Sequence, residues 1–211
     1  SLNLISGTGT TTITVAISGI TLLGLQAADA TGAVSLQGDV TVGGINTAAA
    51  AYNISLLGGT NDVTDAMTFL NTGEVTLGNG DSDSLLFRGG LTATAPSRVN
   101  VRGRVQAASS ATITLGDSDT GVSVAGMSVI GGVSTGNITV AAVTLADGAD
   151  LTVGGNTASN ISVASVAGTT GGTVSDLTFN TAGTVTVTGN VGTDIGTITL
   201  TRGEGITFQG T

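Results

Sequence analysis

The chain has 211 residues, with 14 acidic against 5 basic side chains, a net charge of −9, 35 Gly, 1 Pro, and no Cys, His or Trp. Charged residues make up 9%, against about a quarter in an ordinary globular chain, and aromatic residues 2%. An acidic surface repels phosphate backbones and anionic headgroups, so nucleic acid is excluded as a natural partner; no apolar run approaches the ~18 residues of a membrane span, so direct membrane insertion is not expected.

The 40% hydrophobic content comes mainly from Val, Ile, Leu and Ala, which sets the chain apart from disordered sequences. These residues recur in short alternating runs. In chain order, strands are predicted at Thr12-Ile13-Thr14-Val15, Val40-Thr41-Val42, Glu74-Val75-Thr76-Leu77, Arg98-Val99-Asn100-Val101, Thr112-Ile113-Thr114-Leu115, Asn137-Ile138-Thr139-Val140, Thr184-Val185-Thr186-Val187 and Thr197-Ile198-Thr199-Leu200. Alternation of an apolar residue with a polar one is the period-2 signature of a half-buried strand. Corners are predicted at Gly43-Gly44, Gly58-Gly59, Gly78-Asn79-Gly80, Gly131-Gly132, Gly154-Gly155 and Gly171-Gly172, where residues tolerant of positive φ turn the chain cheaply. The one helix candidate, residues 48–51, is too short to stand alone.

A long internal echo runs through this pattern. Asp39-Val40-Thr41-Val42-Gly43-Gly44 returns as Asp150-Leu151-Thr152-Val153-Gly154-Gly155. Asn53-Ile54-Ser55 returns as Asn160-Ile161-Ser162, Phe69 as Phe179, and Arg88-Gly89 as Arg202-Gly203, so that 39–88 is echoed in 150–202 at about 110 residues. Propeller blades and β-sandwiches use large aromatics that are scarce here. Transmembrane barrels need aromatic girdles and strands of ~10 residues. A narrow tube of Val, Ile, Leu and Ala with Thr, Ser and Asn outside fits the composition. The predicted fold is therefore all-β: a parallel β-helix (β-solenoid) of about ten coils of roughly 20–24 residues. It forms one domain over 1–211, roughly 45–50 Å long at ~4.8 Å per coil, and is read as a fragment of a longer repetitive protein.

The segments Gly183-Thr184-Val185-Thr186-Val187-Thr188-Gly189-Asn190-Val191 and Gly196-Thr197-Ile198-Thr199-Leu200 resemble the β-strand repeats of bacterial autotransporter passengers and S-layer-like surface proteins. The resemblance implies export, display at the cell surface, and adhesion or coat formation by self-association. Surface glycans are further partners on this reading. It implies no catalytic motif.

Two sets of residues stand out as candidate sites. Asp117-Ser118-Asp119-Thr120-Gly121 places two carboxylates two residues apart before a glycine, an arrangement that can wrap Ca²⁺. Asp81-Ser82-Asp83 is a second such pair, out of phase with the calcium-binding nonapeptide. The alternative is that both are turn residues closing Asx turns. Arg88, Arg98, Arg102 and Arg104 concentrate four of the five basic residues. Alternation in 98–105 puts Arg on one face and Val on the other, predicting an outward Arg strip that either docks a neighbouring subunit or stacks on Asp81, Asp83, Asp117 and Asp119 about one coil away. Rows such as Thr112/Thr114 and Thr184/Thr186/Thr188 suit strands and could also order water, as ice-binding solenoids do.

Without His, Cys or Lys the chain lacks the common bases and nucleophiles. Catalysis is not expected, although a carbohydrate-binding or carbohydrate-cleaving β-helix built on paired carboxylates is the alternative function. The expected function is a secreted, cell-surface structural or adhesive rod, with exposed terminal coils inviting end-to-end stacking.

Overall fold

The computed structural model describes residues 1–27 and 32–210. Twenty-one strands, and no helix, are present among the described residues. Every named strand pairing is parallel, each strand lying against its equivalent one coil on. The result is the predicted parallel β-solenoid, with about nine coils and a rod length of roughly 43 Å at ~4.8 Å per coil. Ser84 pairs with Arg104 and Leu151 with Leu177, so a coil takes from 20 to 26 residues.

The pairings sort the strands into three stacks, one per side of the rod. The first side begins with Leu2–Ser6, passes through residues 113–115, 138–140 and 161–163, and ends with Gly205–Phe208. The second side begins with Thr10–Ile13 and runs through Ala33–Leu36, Asn53–Leu56 and Glu74–Leu77 to residues 165–168. The third side begins at residues 17–20 and ends with Ile195–Arg202. Long strands such as Arg98–Ala107 and Gly121–Gly132 turn a corner and serve the second side, then the third.

Alternation becomes stacking because equivalent residues align. Val34, Ile54, Val75, Val99, Val122, Val143 and Val166 form one internal column on the second side, each at most 2% exposed. Burying one such side chain contributes about 1.5–3 kcal/mol, and β-branched residues fit the pleat with little loss of rotamer freedom. Four of the five aromatic residues, Tyr52, Phe69, Phe87 and Phe179, also lie inside, at 0–1% exposure. Phe87 sits in register between Val63 and Ala107, so a small neighbour makes room for the ring.

Buried polar groups at the corner between the third and first sides join coil to coil. The Ser134 hydroxyl donates to the Ala111 carbonyl at 2.5 Å. Thr157 and Ser159 donate to the Ser134 carbonyl at 2.6 and 2.9 Å. Thr181 in turn donates to the carbonyls of Thr157 and Ser159. Each hydroxyl finds a carbonyl acceptor, as burial demands, and the Thr157 carbonyl accepts the Ala182 amide as well.

The echo at about 110 residues does not follow the three-sided geometry. Val40–Val42 and Leu151–Val153 share the third side. Asn53–Ser55, however, lies on the second side, whereas Asn160–Ser162 lies at the edge of the first. The shared unit is the single strand with its leading Asn or Asp, which serves all three sides.

Candidate interaction surfaces

That leading Asn or Asp has a defined job. Its side-chain oxygen accepts the amide at the start of the strand one coil on: Asp39 from Thr60 at 2.9 Å, Asn53 from Glu74 at 2.8 Å, Asp150 from Asp176 at 3.0 Å, Asp176 from Thr197 at 2.8 Å, and Asn160 from Thr184 at 3.1 Å. Three of the 14 acidic side chains, Asp39, Asp150 and Asp176, thus help to hold coils together.

The two aspartate pairs follow the same logic. Asp117 Oδ1 accepts the amides of Asp119 and Thr120, both at 3.0 Å, which closes an Asx turn. The Thr120 hydroxyl anchors that corner by donating to the carbonyls of Thr94 at 2.9 Å and Pro96 at 2.5 Å. The Asp119 residue is exposed. Asp83 is 8% exposed, and its Oδ2 accepts the amides of Asn79 at 2.8 Å and Gly80 at 2.9 Å. Asp81 instead faces out and meets Arg102, Nε to Oδ1 2.8 Å. No group of three acidic side chains close enough to hold a metal ion occurs among the described residues.

The Arg residues separate into two kinds. Arg102 pairs with Asp81, 21 residues earlier, and Arg88 makes a two-pronged contact with Asp62, 26 residues earlier, at 2.8 and 2.6 Å. Hydrogen bonding to Arg102 holds the Asp81 carboxyl below its ordinary range, and the same bond raises Arg102. The bond to Asp62 likewise raises Arg88. Arg98 and Arg104 have no carboxylate within ion-pair distance among the described residues. The strip expected from alternation is bent: Arg98 belongs to the second side, opposite Glu74 and Gly121, and Arg104 to the third, between Ser84 and Val129. The bend falls at Gly103, whose φ is +90° and where a Cβ would lie 2.6 Å from the Gly80 carbonyl oxygen. Only glycine adopts that conformation without strain.

Beside Arg104 the third side holds a shallow groove of about 480 Å³, bordered by Asp81, Met127, Asp150 and Asp176. Met127 is 63% exposed, and the bulge that presents it runs through Gly126, whose φ is +57°. The Met127 amide donates to Asp81 Oδ1 at 3.3 Å. Asp81, Asp150 and Asp176 all accept backbone amides, so the acids beside the groove already serve the fold.

The first side has a different chemistry, and it gathers the Thr112/Thr114 and Thr184/Thr186 rows noted in the sequence onto one face. Its outward positions in consecutive coils are Thr92, Thr114, Thr139, Ser162, Thr186 and Thr207. Beside them run Thr112, Asn137, Asn160 and Thr184. The signal available beforehand was the hydroxyl in the middle of each alternating run; its stacking needed the register. Comparison of the chain with protein families, with curated proteins and with solved structures finds no match.

Proposed function

We propose that the chain is a structural and adhesive rod of the bacterial cell surface, built to self-associate into a coat, filament or stalk. One observation carries the reading: among the described residues every coil from Leu2 to Phe208 is hydrogen-bonded to the next, with corner and core side chains recruited to it. Such a repetitive design holds a fixed length and presents regular faces along it. Asp81, Asp83 and Asp117, with Arg88 and Arg102, then belong to the rod's own joints and corners, in keeping with the bonds they make.

Negative-stain electron microscopy of the native material, with antibody labelling of intact cells, tests this. Rods, filaments or a lattice at the cell surface are the expected result. Labelling confined to the interior of permeabilised cells, with no assembly at high protein concentration, sinks the proposal.

A further inference from the structure

Charge is distributed unevenly among the three sides. The strands of the third side carry Asp62, Arg104, Asp150, Asp176 and Arg202, and those of the second side Glu74 and Arg98. The strand segments of the first side carry none over ten successive rungs. This is so in a molecule with 19 charged side chains, 14 acidic and 5 basic. In place of charge the first side offers exposed aliphatic groups toward its start, Ile5 at 61%, Leu22 at 36% and Leu70 at 46% exposure, and the hydroxyl row from Thr92 to Thr207 beyond them.

We infer that this side is the docking face for a second copy of the chain, laid flat along the rod. The inference rests on the self-associating reading above and names its surface. Two rods of net charge −9 repel at long range. Contact through the second or third side stacks carboxylates and guanidiniums of one copy against those of the other, where like charges cost several kcal/mol. Contact through the first side buries no charge of its strands; Asp65, whose carboxylate lies beside Gly44, and Glu204 stand at its edges. Its rungs repeat at ~4.8 Å on both partners, so rows of hydroxyls and methyls can mesh along the whole length, and threonine offers either group. Ten rungs at that spacing, each about four residues or fewer at ~3.3 Å, present roughly 500 Å² per copy. A specific interface needs about 500 Å² per partner and a tight one about 800 Å², so the face suits reversible, concentration-dependent association. A two-fold pairing of one face with itself is the commonest form of soluble assembly.

Sedimentation of the purified chain over a wide concentration range tests the inference, with two variants. Thr114 and Thr139 point outward near the middle of the face. The double substitution Thr114→Asp/Thr139→Asp should raise the dimer dissociation constant at least ~tenfold while leaving the thermal midpoint near that of the parent. Ser123→Asp, on the second side, is the control and should leave association unchanged. Because the chain has no cysteine, Thr114→Cys gives a second readout: mild oxidation should link it into dimers, and Ser123→Cys should stay monomeric. Raising salt should strengthen association by screening the net charge; docking through Arg98 and Arg104 predicts the opposite. A monomer at every concentration overturns the inference. So does assembly indifferent to the Asp pair, or equal cross-linking at positions 114 and 123. Binding of neutral polysaccharide or ice to this side by a chain that stays monomeric overturns it as well. If filaments form but ignore the Asp pair, the rod function stands and this face falls; if no form assembles, both fall.

Discussion

At the scale of single residues, Tyr52 shows how a lone aromatic becomes structural. It is 1% exposed, its hydroxyl donates to the Leu25 carbonyl at 2.5 Å, and it accepts the Ala48 amide at 2.8 Å. Burial raises its pKa above the ordinary 10.0, partly offset by the Ala48 amide. A group whose pKa is raised on folding contributes stability that is complete below its unfolded value and lost as pH climbs through the folded one. Stability should therefore decline only above about pH 10 on this account. As the chain's one tyrosine, its phenolate absorbance reads the titration directly; a midpoint at the free-tyrosine value would contradict the burial. Tyr52→Phe strands a buried amide and carbonyl and should cost about 1–3 kcal/mol in denaturant unfolding. Asp81 works in the other direction. Its lowered pKa contributes stability present above the unfolded value and lost as pH falls through the folded one. With Arg102 and Asp81 both well exposed, Asp81→Asn should leave the thermal midpoint nearly unchanged, which a calorimetric scan would check.

At the scale of elements, stacks of equivalent residues decide what a substitution does. Phe87 fills the tube between Val63 and Ala107. Phe87→Ala leaves two small residues in contact and a void no neighbour can fill, so a loss of about 3–5 kcal/mol is expected from urea titration. Thr181→Val keeps the shape but removes the donor to the Thr157 and Ser159 carbonyls; the cost should be about 1–3 kcal/mol by the same measurement. The outward neighbour Thr186 offers a contrast, since Thr186→Val should stay within ~0.5 kcal/mol.

At the scale of the whole molecule, each coil touches mainly the coils beside it, so stability is nearly a sum over coils and their junctions. Residue 75 lies under residue 99, and residue 99 under residue 122. Deleting residues 99–121 therefore removes one complete coil and brings Val122 into the place of Val99. The shortened chain should still unfold cooperatively, with a denaturant slope reduced by about one ninth. A deletion of half that length sets every later strand out of phase with the three sides and should abolish the cooperative transition seen by circular dichroism.

Local chemistry is legible in the sequence because it is local: a strand's alternation sorts Val75 from Thr76 whatever side it occupies, and the approximate coil length follows from how often corners recur. Asp117 was readable as either a cation ligand or an Asx turn; in the folded chain its Oδ1 closes the turn. What strands could not reveal is the side each would join, because all three sides use the same phrase of Asn or Asp, apolar, hydroxyl, apolar. That is why Asn53–Ser55 and Asn160–Ser162 match in sequence and diverge in space, and why an Arg strip even in alternation is split by the corner at Gly103. The uncharged first side is the clearest case. Its rungs are contributed by segments some 21 to 25 residues apart, and a property shared across that distance exists only once backbone hydrogen bonds set one coil upon the next.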